Sequence, residues 1–199
     1  MKLVLASKNA HKLLEMGDIL SGLGVEVVLE ADVGVDVEVE ETGETFEENA
    51  RLKARAVMEA TGLPAVADDS GLCVDAMNGG PGVYSARFGG PELDDAGRYH
   101  LLLEMMRGQL DRKCRFVSCI CCCFPDGGMV EARGECHGTL AYAPKGEGGF
   151  GYDPVFFVPA LKKTFSELSQ EEKNAVSHRG AALREFKTKL ESCLNGINQ

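Results

Sequence analysis

Positive charge is scarce in this chain: 21 Lys and Arg residues stand against 31 Asp and Glu residues, so the formal net charge is −10. Affinity for nucleic acid comes largely from Lys and Arg side chains that displace counterions from the phosphates. The charge therefore argues against a general nucleic-acid-binding protein. A small anionic ligand held in a locally basic pocket is still compatible with it.

The sequence also lacks an apolar run long enough to span a bilayer. Met1 and Lys2 lead directly into a short apolar strand rather than a signal peptide. We therefore expect a cytoplasmic protein with no membrane partner. Repeats, low-complexity segments and an inter-domain linker are absent as well, which predicts one globular domain over residues 1–199.

A second cysteine pair of zinc-knuckle spacing is missing. The eight cysteines include one Cys-x-x-Cys pair, within residues 119–123, and the others supply no partner for it. In a strand, Cys119, Cys121 and Cys123 would share one face and Cys122 would lie on the other. We interpret these cysteines as small buried hydrophobic residues in a reducing compartment.

The most informative motif is Asp68-Asp69-Ser70-Gly71, which directly follows the apolar run 63–67. The pattern predicts a buried strand that ends by delivering two acids to its carboxyl edge, where ligands bind in open α/β sheets. Two neighbouring carboxylates repel each other unless a divalent cation is bound or one acid stays protonated for proton transfer. An acidic surface loop is the alternative that the pattern leaves open.

A strand-loop-helix-strand unit opens the chain, with strands at residues 2–6 and 25–29 and a helix at about 12–23. Its loop precedes a helix N-terminus, a position that favours anions, although the glycines of a Walker A loop are missing. Ser7, Asn9 and Lys12 could supply a hydroxyl, an amide and an ammonium group to a triphosphate. Simple capping of the helix by Ser or Asn explains the same residues equally well.

A capping box formed by Thr45 and Glu48 predicts a helix from Phe46 to about residue 60. Asn49 and Lys53 are four residues apart and so share one face of this helix. Their spacing alone favours a solvated lysine over a ligand-binding one. Glu41, just before the helix, lies in an acidic stretch from which composition cannot single it out.

The segment 146–151 satisfies the Gly-x-Gly-x-x-Gly pattern, but a strand rather than a helix follows it, so it is not a dinucleotide fingerprint. The glycines instead allow a loop to pass close to a ligand, with Phe150 available to stack on a base and Asp153 to accept hydrogen bonds. Lys173, His178 and Arg179 cluster around two predicted helix ends. His and Arg at a helix N-terminus oppose the helix dipole, which indicates a role beyond stability.

The predicted elements combine a parallel core with an antiparallel hairpin over residues 114–137. They indicate an α/β fold with a long curved mixed β-sheet that is flanked by helices.

These motifs together resemble the inosine triphosphate pyrophosphatase (HAM1-like) family of nucleoside triphosphate pyrophosphohydrolases. The matching segments follow the family's order along nearly the whole chain: residues 7–12, 40–43, 45–54, 67–72, 81–87, 148–154 and 177–180. The cysteine-rich strand and His11 look like local variation outside the required positions.

The resemblance implies a homodimer of two-lobed subunits with the nucleotide in a central cleft between the lobes. It implies Mg²⁺-dependent hydrolysis of the inosine, deoxyinosine and xanthosine triphosphates (ITP, dITP and XTP) to the monophosphate and pyrophosphate, which cleanses the nucleotide pool. Carried over by position, Asp69 is the proton acceptor beside Asp68, and Glu41 and Asp69 hold the metal. The substrate-binding residues would be Ser7, Lys8, Asn9, Ala10, His11, Lys12, Asn49, Lys53, Ser70, Phe150, Gly151, Tyr152, Asp153, Lys173, His178 and Arg179.

Two other functions are compatible with parts of this pattern. A Maf-like pyrophosphatase would share a related architecture but prefer other bases, and the Ser177-His178-Arg179 segment favours the first family over it. A non-catalytic nucleotide sensor would keep the pocket without the chemistry, and the intact acids argue against that. Pyrophosphate release from ITP with and without Mg²⁺ distinguishes these functions.

Overall fold

The computed structural model describes residues 1–7 and 10–197. Its seven strands are β1 (Lys2–Leu5), β2 (Glu26–Leu29), β3 (Ala65–Val74), β4 (Lys113–Cys123), β5 (Met129–Leu140), β6 (Phe156–Val158) and β7 (Lys163–Thr164). Its α-helices are α1 (Ala10–Leu20), α2 (Phe46–Thr61), α3 (Asp95–Met105), α4 (Gln170–Val176) and α5 (His178–Ile197). Within the described residues no helix is both long and apolar enough to cross a membrane.

The strands form one mixed sheet in the order β2-β1-β3-β4-β5-β6-β7. β1 pairs in parallel with both β2 and β3, whereas β6 is antiparallel to β5 and to β7. β4 and β5 are neighbours joined by a tight turn, in which Phe124 N–H donates to the Gly128 carbonyl at 2.9 Å. The predicted α/β class, with a parallel part and an antiparallel part of one sheet, is confirmed.

The capping residues recognised in the sequence mark the ends of the helices in the structure. The Thr45 hydroxyl accepts from Glu48 N–H at 3.2 Å while the Glu48 carboxylate accepts from Thr45 N–H at 3.1 Å, so the capping box starts α2 at Phe46. The helix ends at Thr61, and the following Gly62 has a φ of 66°, the left-handed conformation that a C-terminal glycine adopts readily. The Ser177 hydroxyl accepts from Gly180 N–H at 3.0 Å, which caps the start of α5.

The chain divides into two compact units. Unit 1 contains residues 1–69, 118–134 and 181–199, and unit 2 contains residues 70–117 and 135–180. In unit 1 the main core combines side chains of β1, α1 and α5, and a smaller cluster places Ala50 and Ala54 of α2 against Ala67 of β3. In unit 2 the core gathers around three phenylalanines, Phe116, Phe156 and Phe165, whose ring centroids lie 4.6–5.7 Å apart.

The cysteines of β4 are core residues, as the sequence predicts. Cys122 packs into the main core of unit 1, and Cys121 and Cys123 pack into the cluster below α2. Burial raises the pKa of Cys121 and Cys122 far above that of a free thiol, so both are poor nucleophiles. Successive side chains of a strand point to opposite faces of the sheet, which explains why Cys122 packs into a different cluster from Cys121 and Cys123.

The phenylalanine cluster provides a stability prediction. Phe156 is fully buried, so Phe156→Ala should lower the free energy of unfolding by about 3–5 kcal/mol through lost transfer energy and the cavity left behind. Urea denaturation followed by circular dichroism measures it. The matched control is Phe150→Ala, because Phe150 is 46% exposed and its loss should cost less than about 1 kcal/mol. Equal losses in both variants would show that this cluster does not stabilise the protein.

Candidate active site

The two adjacent aspartates lie within a strand and not at its end. β3 continues through Asp68 and Asp69 to Val74, so the predicted delivery of the acids at the carboxyl end of a strand is wrong. Both residues are buried, at 4% and 9% exposure. A strand can bury two carboxylates only if cations compensate them, and here each aspartate has its own lysine.

Asp68 pairs with Lys12 of α1. The Lys12 Nζ–Asp68 Oδ1 distance is 2.6 Å, and the two side chains are 19% and 3% exposed. Both residues line a cavity of about 240 Å³ in unit 1, together with Ser7, Glu30 and Lys53. The cavity thus brings a hydroxyl and two ammonium groups to one place, alongside the carboxyl groups of Asp68 and Glu30.

Lys53 of α2 lies between two carboxylates. Its Nζ donates to Glu41 Oε1 at 2.6 Å and to Asp69 Oδ1 at 3.1 Å. The Lys53 side chain is only 17% exposed, so it is not the solvated lysine that spacing alone favours. The structure also singles out Glu41 from its acidic stretch, because Glu41 is the acid that reaches this lysine. We call Glu41, Lys53, Asp69, Lys12 and Asp68 the acid–lysine cluster.

The cluster perturbs the acidity of its members. Burial disfavours the charge on Lys53, but Asp69 and Glu41 outweigh it and raise the pKa of the ammonium group. For Asp69, burial is the largest influence and Glu41 adds to it, so the pKa of this carboxyl is raised despite the attraction of Lys53. A carboxylate with a raised pKa is a stronger base than an ordinary aspartate.

The donor set of this cluster fits a magnesium ion. Mg²⁺ prefers carboxylate oxygens and is usually bound by one or two carboxylates plus substrate phosphates and waters, not by an all-protein cage. Glu41 and Asp69 supply two such carboxylates on either side of one cation, Lys53. Among the described residues no group of three or more His, Cys, Asp or Glu side chains forms a complete metal cage. The chemistry of the two acids therefore matches a metal that a phosphate ligand helps to hold.

A second cluster lies in unit 2 and centres on Asp153. The Lys173 ammonium donates to Asp153 Oδ2 at 2.6 Å, and Phe150 N–H donates to the same oxygen at 2.9 Å. The Lys173 Nζ also lies 4.5 Å from the centroid of the half-exposed Phe150 ring. Burial raises the pKa of Asp153 against the attraction of Lys173. The pair fixes the backbone beneath an exposed aromatic face.

Gly149 allows this arrangement. A Cβ at Gly149 would lie 2.2 Å from Asp153 Oδ2, and the residue has a φ of 78° that L side chains rarely adopt. The glycine pattern in this loop is therefore explained by the close approach of the loop to a buried carboxylate.

His178 and Arg179 complete the second cluster at the start of α5. The His178 ring stacks on Phe116, with centroids 4.6 Å apart and an interplanar angle of 13°. The Arg179 guanidinium lies 5.6 Å from the Phe150 centroid and makes a long 3.5 Å contact to the Ser70 hydroxyl. We call Phe150, Asp153, Lys173, His178 and Arg179 the aromatic–basic cluster. It combines an aromatic face with several hydrogen-bond donors, as recognition of a planar base requires.

Two other predicted site residues, Tyr152 and Gly151, make contacts within the protein that hold the Phe150 loop. Tyr152 is 5% exposed and its hydroxyl donates to the Ser85 carbonyl at 2.8 Å, so it anchors the loop in the core of unit 2. The Gly151 N–H donates to Asp95 Oδ2 at 2.8 Å. Lys8 and Asn9, and the side chains of Ala10 and His11, lie outside the described residues.

Three residues near the clusters were not singled out by sequence reasoning. Glu30 is a buried acid on the wall of the cavity that contains Lys12 and Lys53. Ser85 and Asp95 hold the loop that carries Phe150. Asp95 resembles an ordinary helix-start residue, and no local signal distinguishes Glu30. Ser85 lies in the matching segment 81–87 but does not stand out within it, because its role depends on residues distant in the chain.

Comparison with known proteins identifies the family. A sequence model of the Ham1 family matches residues 3–189. The chain is 48% identical over 196 residues to a protein of Exiguobacterium sp. named dITP/XTP pyrophosphatase, which covers 98% of this chain and 100% of that one. A protein of Haemophilus influenzae with the same name is 50% identical over 193 residues, with 95% and 98% covered.

Solved structures agree with the sequence relatives. The Ham1 protein of Staphylococcus aureus superimposes with a TM-score of 0.88 at 40% identity, covering 99% of this chain and 100% of that one. A HAM1 protein from Coxiella burnetii gives a TM-score of 0.92 at 41% identity, with 96% and 99% covered. The chain is an α/β protein, and strand β3 of its mixed sheet carries buried aspartates that are paired with lysines. The chain belongs to the Ham1 family, which confirms the resemblance found in its sequence.

The Lys12–Asp68 pair can be tested by its contribution to stability. Asp68→Asn keeps the shape of the side chain but leaves Lys12 without its charged partner, so we expect a loss of about 1.5–3 kcal/mol in the free energy of unfolding. Asp18→Asn, an exposed position on the same helix as Lys12, is the control and should be neutral. If urea denaturation gives both variants the stability of the wild type, the pair is not a stabilising feature of the fold.

Proposed function

We propose that this protein hydrolyses non-standard purine nucleoside triphosphates (dITP, ITP and XTP) to the monophosphate and pyrophosphate, and so removes them from the nucleotide pool. The observation that carries the proposal is the buried Asp69 carboxylate held by Lys53 beside Glu41. The names of the full-length relatives, dITP/XTP pyrophosphatase, support the choice of substrates.

The lysines of the acid–lysine cluster would bind the phosphate chain. Hydrolysis of a phosphoanhydride asks a protein mainly for positioning and for neutralisation of negative charge. Lys12 and Lys53 line the same cavity as Ser7, so ammonium and hydroxyl donors are available to the phosphate oxygens there. The residues of the first loop, Lys8 to His11, join this set by their place in the family motif.

Glu41 and Asp69 would hold Mg²⁺, in keeping with the fit of their oxygen donors. When bound, the ion would neutralise the phosphate oxygens and help to orient them for in-line displacement. Lys53 already occupies the space between the two acids as a cation, so its ammonium group would share their charge with the ion.

Asp69 would act as the general base. Its buried position, held by Lys53, suits a carboxylate that takes a proton from water. The activated water would attack the α-phosphorus, the bond between the α-phosphorus and the bridging oxygen would break, and pyrophosphate would leave. Asp68 would assist indirectly, since its ion pair with Lys12 keeps that lysine in the cavity.

The aromatic–basic cluster would recognise the base. The exposed face of Phe150 can stack on a purine, and His178 and Arg179 can donate to the 6-oxo group that hypoxanthine and xanthine share. Adenine presents an amino group at the same place, so a donor would face a donor, a mismatch that binding sites penalise strongly. Lys173 would act here chiefly through Asp153 and Phe150, its partners in the structure.

The first functional prediction concerns Asp69. Asp69→Asn should lower turnover of dITP at least about a hundredfold while binding of the nucleotide is largely retained, because an amide keeps the shape but cannot accept a proton. Pyrophosphate release measures turnover and titration calorimetry measures binding. Asp111→Asn, at an exposed position, serves as the control. A variant that keeps more than a tenth of wild-type turnover would contradict the assignment of Asp69 as the general base.

The second functional prediction concerns specificity. Arg179→Ala should lower kcat/KM for ITP far more than for ATP, so that the ratio between the two substrates shrinks at least about tenfold. The exposed Arg184 on the same helix provides the control variant, Arg184→Ala, whose ratio should match the wild type. An equal loss of kcat/KM for ITP and ATP would show that Arg179 binds the phosphates or supports the fold. Base recognition would then depend on the Phe150 loop.

A further inference from the structure

The Asn49 side chain is buried within the protein. The family motif assigns it to the substrate, and it shares a helix face with Lys53, yet its exposure is 0%. Both ends of its amide contact protein groups: Oδ1 accepts from Gly43 N–H at 2.8 Å, and Nδ2 donates to Asp69 Oδ2 at 3.4 Å. The side chain therefore connects the loop before α2 with the middle of β3.

The Gly43 hydrogen bond decides which way the amide faces. An asparagine has an accepting oxygen and a donating nitrogen of nearly the same shape, and its orientation follows from its partners. Because the backbone N–H of Gly43 can only donate, it selects Oδ1. The NH₂ group must then point to Asp69, where a reversed amide would place oxygen against oxygen.

Asp69 is consequently held from two directions. Oδ1 accepts from Lys53 at 3.1 Å and Oδ2 accepts from Asn49 at 3.4 Å, so rotation of the carboxylate would break one contact or both. Lys53 would also contact the phosphates, whereas the buried Asn49 amide is engaged at both ends, by Gly43 and by Asp69. Asn49 can therefore hold the orientation of Asp69 whether or not a nucleotide is bound.

Position 43 has room only for glycine. A Cβ there would meet Asn49 Oδ1 at 2.7 Å and Glu48 Cβ at 2.7 Å, both closer than side chains normally tolerate. Gly43 lacks the left-handed backbone that would by itself demand glycine, so space is the reason for the residue. Adding a methyl group at position 43 would push Asn49 and, through it, disturb Asp69.

We propose that Gly43 and Asn49 are positioning residues that fix the orientation of the Asp69 carboxylate for catalysis. The inference rests on the proposed function of Asp69 as the general base. It adds that the Gly43 backbone amide orients the buried Asn49 side chain, which in turn orients Asp69. Placement matters for such a base, since a displacement of about 1 Å can cost on the order of a hundredfold in rate.

The test compares kcat and KM for dITP in three variants. Asn49→Ala removes both contacts, Asn49→Asp keeps an acceptor for Gly43 but puts an oxygen against Asp69, and Gly43→Ala displaces Asn49 without altering its chemistry. We expect each to lower kcat about tenfold to a hundredfold with KM within about threefold of wild type. Circular dichroism and thermal melts select a temperature at which every variant is folded.

The matched control is Gly17→Ala. A Cβ at Gly17 meets no atom within 4 Å, so the same substitution should leave kcat and KM unchanged. The combination of Gly43→Ala with Asn49→Ala should cost less than the product of the two single effects, because both act through one contact. If the double variant loses kcat by the full product of the two single effects, Gly43 and Asn49 act independently, which would contradict the proposal. An increase in KM at constant kcat would overturn the proposal in favour of substrate binding by Asn49.

A second measurement separates this inference from the proposed function. Crystal structures of the wild type and of Asn49→Ala show the orientation of the Asp69 carboxylate directly, with no need for turnover. We expect the carboxylate to rotate away from its Asn49-facing position in the variant. If the wild type fails to hydrolyse dITP, the proposed function fails while the structures still decide on positioning. An unchanged carboxylate in the variant overturns the inference.

Discussion

The ion pairs that neutralise two aspartates inside β3 are the interaction on which the site depends. Burying a carboxylate costs several kcal/mol unless a cation and hydrogen bonds compensate it. Lys12 reaches Asp68 at 2.6 Å, and Lys53 reaches Asp69 at 3.1 Å and Glu41 at 2.6 Å. Without these lysines the strand could not continue through both acids, because the buried carboxylates would have no cation to compensate them.

The same lysines give the cluster its chemistry. Under the proposed function these lysines would also bind phosphate, so that one set of charges would both stabilise the fold and bind the anionic ligand. In unit 2 the Asp153–Lys173 pair has a comparable role, because it holds the backbone of Phe150 beneath the exposed ring. In each unit, a buried charge pair holds neighbouring groups in place.

Sequence patterns within a few residues predicted much of the fold. They failed where the environment of a side chain depends on residues distant in the chain. Thr45 and Glu48 define the start of α2 by contacts within one helical turn, so the sequence reveals them. Asp68 and Asp69 suggested the end of a strand because nothing nearby neutralises them, whereas Lys12 and Lys53 come from other elements. Asn49 and Tyr152 matched a ligand-binding motif, but their burial depends on tertiary packing that no local pattern records.

The central claim is that water activated at Asp69 attacks the α-phosphorus so that pyrophosphate leaves. Hydrolysis of dITP by the wild-type protein in ¹⁸O-labelled water, followed by mass spectrometry of both products, tests it most directly. The account predicts that one labelled oxygen appears in the deoxyinosine monophosphate and none in the pyrophosphate. Label in pyrophosphate, or release of inorganic phosphate in its place, would contradict it.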